Sequence, residues 1–286
     1  MANNHRAGAS PEDVWLITGC SSGFGKALAS ALAARSQPLV ATARHVEALE
    51  YLGTETDTLA KLALDVTNHA QVQAAISTAE ARFGRIDVVV NNAGIGVIGP
   101  VEDVTEDQIR HQFEVNVFGV LNVTRAAQPL FRKQRRGLFI NFASMAGEAS
   151  VPSLGIYSAS KFAVEGLSEA VRQEMEPHGV GVMVVEPGPF DTEWIGKNAA
   201  WAPRTDRYPG VWDYVGQMMA AYADRALVGD PAKAAVAIIK AAAMDPPPFR
   251  LALNEMSAEA TRSKFKAVVA DLDRTEALTR AVHYDD

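Results

Sequence analysis

Short apolar runs rich in β-branched residues alternate along the chain with longer stretches whose apolar positions recur at helical spacing. The runs Val14–Thr18, Pro38–Ala43, Ala60–Leu64, Ile86–Asn91, Leu138–Ala143, Val180–Glu186 and Phe249–Leu253 read as strands. Several are apolar throughout, as burial on both faces requires. Between them, helical periodicity covers Phe24–Arg35, His69–Phe83, Glu106–Gln134, Leu154–Pro177, Tyr214–Arg225 and Pro231–Met244. This alternation predicts a single doubly wound α/β domain, a parallel seven-stranded sheet with helices on both faces.

Local signals sharpen two of the helix starts. Thr105 with Gln108 makes a capping box, and Asp230 places a cap ahead of Pro231, which the first turn tolerates. Pro129 is the expected place for a bend in the long third helix. The run Pro246–Pro248 ends a helix before the last strand. Beyond that strand, Phe265, Val268, Val269 and Leu272 share one helical face, implying a C-terminal helix docked on the body or on another subunit. The domain plan is a flexible tail over residues 1–13, one α/β domain over 14–256 with a distinct segment near 193–225, and a helical extension over 257–286.

Composition narrows the function classes. A chain of 286 residues with 48% hydrophobic and 21% charged residues can bury one large core. Its net charge of -7 argues against a nucleic-acid partner. The one short basic cluster, Arg132, Lys133, Arg135 and Arg136, reads as a solvated helix end. Cys20 stands alone, so no internal disulfide is expected and a cytoplasmic setting is the default. Neither a signal peptide nor a membrane span is expected, and the scattered histidines predict no metal site.

The first strand runs into Thr18-Gly19-Cys20-Ser21-Ser22-Gly23-Phe24-Gly25 and then into an alanine-rich helix. Glycines there permit a tight turn and close approach of a diphosphate to backbone N–H groups. The spacing Gly-x-x-x-Gly-x-Gly after threonine resembles the short-chain dehydrogenase/reductase family, and the resemblance runs from about Val14 to Leu253. It implies a Rossmann-like fold in which Gly19, Ser21, Ser22, Gly23, Phe24 and Gly25 cradle the cofactor. It also places Asp65 and Val66 by the adenine, Asn92, Ala93 and Gly94 (after Asn91) along the cofactor cleft, and Pro187, Gly188 and Thr192 beside the nicotinamide. At the end of the second strand stands Arg44, with no acid, where an NADP site carries a cation for the 2′-phosphate. NADP(H) is therefore expected over NAD(H).

Tyr157 and Lys161 lie four residues apart, on one face of the helix after the fifth strand. A phenol is a poor base at neutral pH, and a neighbouring ammonium favours the phenolate, which suits the pair to acid–base work on a carbonyl or alcohol. Ser144, just past that strand, can hold a substrate oxygen, and Asn116 is polar amid the apolar run Phe113–Val123. The resemblance implies that Asn116, Ser144, Tyr157 and Lys161 form the catalytic set, with Asn116 on a water-linked proton path and Lys161 also on the nicotinamide ribose, so that Tyr157 and Lys161 contact the cofactor too.

The segment after Glu193 carries Trp194, Trp201, Tyr208, Trp212, Tyr214, Met218 and Met219. Such side chains suit either an apolar lid over a hydrophobic ketone, aldehyde or alcohol, or ordinary core packing. Two rival functions remain open at this stage: an NADP(H)-sensing protein without chemistry, and epimerase or dehydratase chemistry on the same scaffold. The resemblance further implies a homodimer or homotetramer assembled through the helices that carry Asn116 and Tyr157.

Overall fold

A computed structural model describes residues 8–224, 228–282 and 284. Seven strands form one parallel sheet in the order β3-β2-β1-β4-β6-β7-β9. They are β1 (Trp15–Ile17), β2 (Leu39–Ala43), β3 (Leu59–Ala63), β4 (Val88–Asn91), β6 (Gly137–Phe142), β7 (Val180–Pro187) and β9 (Arg250–Leu253). All seven match the expected runs, because side chains buried on both sides leave an uninterrupted apolar signature. A separate pair, β5 (Gly96–Ile98) and β8 (Ala199–Trp201), was not expected.

Helices α1 (Gly23–Ala33) and α7 (Pro231–Ala242) cover one face, where Leu28, Leu32 and Ile238 pack on Ile17 and Val90. On the other face α2 (His69–Phe83), α4 (Gly119–Gln134) and α5 (Gly155–Met175) bring Val72, Phe131 and Val171 onto Val89 and Phe139. The chain leaves β1 toward β2 and β3 on one side and returns to β4 on the other. This reversal opens a crevice at the strand C-terminal ends, where ligands bind in such sheets.

The expected third helix is broken, but not at Pro129. It runs as α3 (Glu106–Phe113), one π-helical turn (Glu114–Phe118) and α4. Pro129 sits within α4 on its exposed side, where water can satisfy the carbonyl of Arg125 that loses its amide partner. The capping box of Thr105 with Gln108 and the Asp230 cap are both present.

Three boundary expectations change. Within the tail expected over residues 1–13, residues 8–13 are packed: Ala9 donates to the Ala242 carbonyl at 2.6 Å, and buried Asp13 accepts from Arg136 at 2.6 Å. Arg136 thus leaves the solvated cluster as the partner of a buried carboxylate. Helix α6 (Pro209–Ala223) starts earlier than expected, and Arg225 lies outside the described residues. Helix α8 (Glu255–Arg280) begins inside the α/β body: Ser257, fully buried, donates to the Glu186 carbonyl at 2.7 Å. Farther along, Phe265, Val268, Val269 and Leu272 are exposed rather than docked on this chain. No described helix is long and apolar enough to cross a membrane.

Candidate active site

The glycine turn is shaped by close contacts. Gly19 adopts φ 73°, and a Cβ there would lie 2.9 Å from the Ala93 backbone. A Cβ on Gly25 would lie 2.3 Å from the Gly19 carbonyl and 2.4 Å from Asn92 Nδ2. Asn92 braces this turn, donating from Nδ2 to the carbonyls of Thr18 (2.8 Å) and Gly19 (3.0 Å), while Thr18 Oγ1 accepts from the backbone of Asn92 and Ala93 at 3.0 Å. Ser22 caps α1 without a side-chain bond to the helix amides, so the first-turn N–H groups are available to an anion.

One cleft gathers most of the residues expected to act. Gly19, Ser21, Ser22, Gly23, Phe24, Arg44, Asp65, Val66, Asn92, Ala93, Gly94, Ser144, Tyr157, Lys161, Pro187, Gly188 and Thr192 all line it. Gly25 and Asn116 do not line it. Arg44 is exposed at the end of β2. Asp65 also makes a local turn, its Oδ1 accepting from Thr67 N (2.9 Å) and Oγ1 (2.8 Å), while Asn68 is the cap of α2.

Asn116 sits fully buried in the π-helical turn and spends its side chain on structure. Its Oδ1 accepts from Ile95 N and its Nδ2 donates to Ile95 O, each at 2.9 Å, and Nδ2 also reaches Ser160 Oγ at 3.0 Å. The side chain therefore fixes the loop after β4 against α5, and π turns of this kind recur at functional sites.

Ser144, Tyr157 and Lys161 meet in this cleft. The Ser144 hydroxyl caps the turn after β6, accepting from Ala146 N at 3.1 Å. Lys161 is buried, donates to the Phe142 carbonyl at 2.8 Å, and has its Nζ 5.8 Å from the centroid of the Tyr157 ring. Burial lowers the Lys161 pKa to about 8, and the charge of Glu165 opposes that fall. The Tyr157 phenol stands above its ordinary value, raised by burial and partly restored by its bond to Ser144. In this state the phenol carries its proton at neutral pH, and burial, not the expected lowering by the Lys161 charge, dominates its acidity. Cys20, buried with its pKa raised to about 12 by burial, is an inert thiol.

The aromatic segment after Glu193 divides. Trp194 packs on Tyr157 with ring centroids 5.0 Å apart, and Trp212, Met218 and Met219 join the same cluster with Leu154 and Ile98. Trp201 and Tyr208 are surface residues, and the Tyr208 hydroxyl donates to Glu102. Tyr222, Asn198, Leu154 and His111 line the cleft without having been expected. Tyr222 carried a signal, since it lies on the same face of α6 as Met218 and Met219. Asn198, which donates to Ser22 Oγ at 3.3 Å, carried none.

The model of the short chain dehydrogenase family matches residues 13–203. An uncharacterized oxidoreductase of Schizosaccharomyces pombe is 34% identical over 275 residues, covering 95% of this chain and 92% of its own. A 3-ketodihydrosphingosine reductase of Bacteroides thetaiotaomicron is 43% identical over 177 residues, covering 62% of this chain and 64% of its own. Among solved structures, a short-chain dehydrogenase from Streptomyces avermitilis is 37% identical and superposes with a TM-score of 0.87, covering 95% of this chain and 100% of its own. Two more are 26% identical and cover 85% of this chain. They are an alcohol dehydrogenase from Thermococcus sibiricus complexed with 5-hydroxy-NADP (TM-score 0.68, 96% of its own chain) and a 3-ketoacyl-(acyl-carrier-protein) reductase from Brucella melitensis complexed with NADH (TM-score 0.70, 98%). The chain belongs to the short-chain dehydrogenase/reductase family and is an oxidoreductase of that type. Its neighbours hold NADP-type and NAD-type cofactors alike, so cofactor preference must be argued from residues of this chain.

Proposed function

We propose that the protein transfers a hydride between NADP(H) and a carbonyl or alcohol carbon of a hydrophobic substrate. The observation that carries this reading is the meeting of Ser144, Tyr157 and Lys161 with the glycine turn in one cleft. The residues fit a dinucleotide, since Gly19 and Gly25 let the turn pack against Asn92 and Ala93 more closely than any side chain allows, and the first turn of α1 offers uncapped N–H groups. When bound, the nicotinamide supplies or accepts the hydride.

The chain's own residues do the rest. Ser144 and Tyr157 would hold the substrate oxygen, and the phenol gives it a proton during reduction and removes one during oxidation. Lys161 keeps positive charge beside the phenol, which stabilises the phenolate left after donation. Trp194, Leu154 and Tyr222 supply apolar wall near the phenol, which favours a lipophilic ketone, aldehyde or secondary alcohol. The naming of one relative as a 3-ketodihydrosphingosine reductase supports such a substrate. A panel of ketones, aldehydes and alcohols with NADPH and NADP⁺, followed by nicotinamide absorbance, tests the reading. Turnover of hydrophobic members is expected, and no turnover across the panel would reject it.

The NADP preference rests on Arg44, an exposed cation at the end of β2 where a 2′-phosphate would lie. Arg44→Ala is expected to lower kcat/KM with NADPH by about tenfold or more, with little change for NADH. Equal losses with both cofactors, or a wild-type preference for NADH, would remove the assignment. Assembly as a homodimer or homotetramer belongs to the same proposal, supported by exposed Phe118 and Phe162 beside the segments that carry Asn116 and Tyr157.

A further inference from the structure

Four carboxylates converge on one guanidinium beside the catalytic helix. Arg250 of β9 pairs through Nη1 with Glu148, with Glu165 and, at 3.1 Å, with Glu186, and through Nη2 with Glu169 at 2.7 Å. Glu148, Glu165 and Glu186 are all buried and offer oxygens within 4.8 Å of one another. The guanidinium already stands among these oxygens, so the cluster has its cation without a metal ion. Each acid comes from a different catalytic segment. Glu148 ends the turn that begins at Ser144, Glu165 lies one helical turn past Lys161 on α5, and Glu186 precedes Pro187 and Gly188.

The cluster carries more negative than positive charge. Three buried carboxylates and the exposed Glu169 face Arg250, and α8 adds the uncharged Ser257; buried Lys161 stands one turn before Glu165 on the same face of α5. Burying surplus charge of one sign is costly, so a carboxyl there retains its proton. Burial, then repulsion from Glu186, raises the Glu165 pKa to about 8, with Glu148 adding to the rise and Arg250 opposing it. Glu165 Oε1 is also buried with no hydrogen-bond partner among the described residues, so its ionised form lacks a bond that would stabilise it.

We propose that Glu165 is a positioning residue that sets the charge of Lys161, and through it the acidity of Tyr157, while Glu148, Glu186 and Arg250 govern the charge of Glu165 itself. This inference rests on the reading of Tyr157 and Lys161 as the acid–base pair. As pH rises, ionised Glu165 attracts the ammonium and holds its proton to a higher pH than burial alone allows. Removing that carboxylate makes Lys161 deprotonate earlier. Removing Glu148 instead takes away a repelling charge, so Glu165 ionises earlier and Lys161 keeps its proton longer. The two changes act in opposite directions, whereas a purely structural role predicts no such sign reversal.

The test is an NMR titration of the full chain labelled at lysine Cε, with the Lys161 signal assigned by its loss in Lys161→Met. Its midpoint is expected to fall by about half a pH unit or more in Glu165→Gln and to rise in Glu148→Gln, and the alkaline limb of kcat/KM should move with it. A midpoint that stays in place, or shifts the same way in both variants, overturns the proposal, as does a limb that ignores a moving midpoint. Should Glu165→Gln not fold, the direction of shift in Glu148→Gln decides alone. Opposite midpoint shifts in a protein that reduces no carbonyl would leave the charge coupling standing and reject the reductase reading instead.

Discussion

Tyr157→Phe is expected to lower turnover of a reducible ketone by about 10²- to 10⁴-fold, the range for loss of a positioned general acid. The phenyl ring would keep its packing on Trp194, so the fold should be unchanged and NADPH binding should weaken far less than turnover falls. The phenol is chosen over other groups in the cleft because it shares the cleft wall with Ser144 and the Lys161 ammonium lies 5.8 Å from the centroid of its ring. Steady-state kinetics with a parallel NADPH fluorescence titration check this. Turnover within a few-fold of wild type would place the proton on another group.

Gly25→Ala is the second large effect. The added methyl would meet the Gly19 carbonyl at 2.3 Å and Asn92 Nδ2 at 2.4 Å, and both belong to the turn that would hold the diphosphate. Relief requires backbone movement, which in a packed site costs about 1–3 kcal/mol of stability. NADPH affinity is expected to fall by more than about tenfold, because backbone N–H donors bind well only when held in place. Gly166→Ala is the control, since a Cβ there meets nothing within 4 Å. Denaturant melts and fluorescence titration separate the two effects, and unchanged affinity in Gly25→Ala would mean that the turn does not hold the cofactor.

Much of this architecture was readable from residue pattern because it rests on local signals. Strands such as Val180–Pro187 are apolar through burial on both faces, and Thr105, Gln108 and Asp230 announce helix starts through hydrogen bonds within one turn. The glycine turn and the pair Tyr157 and Lys161 are likewise compact in sequence. What escaped depends on distant partners. The pairing of β5 with β8 joins two three-residue strands, each too short to show alternation. The π-helical turn at Asn116 answers to the Ile95 backbone across a loop, whereas Pro129, the local breaker, is harmless on an exposed side of α4. The Arg250 cluster joins β9, the turn after Ser144, α5 and β7, so its members lie far apart along the chain and no spacing announces their meeting. The tail misled because polar residues usually mark solvent, yet Asp13 is buried against Arg136.

A crystal structure with NADP⁺ and an unreactive ketone analogue measures the central claim most directly. The account predicts the dinucleotide along the glycine turn, the ketone oxygen within hydrogen-bond distance of both Tyr157 Oη and Ser144 Oγ, and the carbonyl carbon about 3–3.5 Å from the hydride-bearing carbon. A dinucleotide bound elsewhere, or a phenol turned away from the ketone, would contradict it.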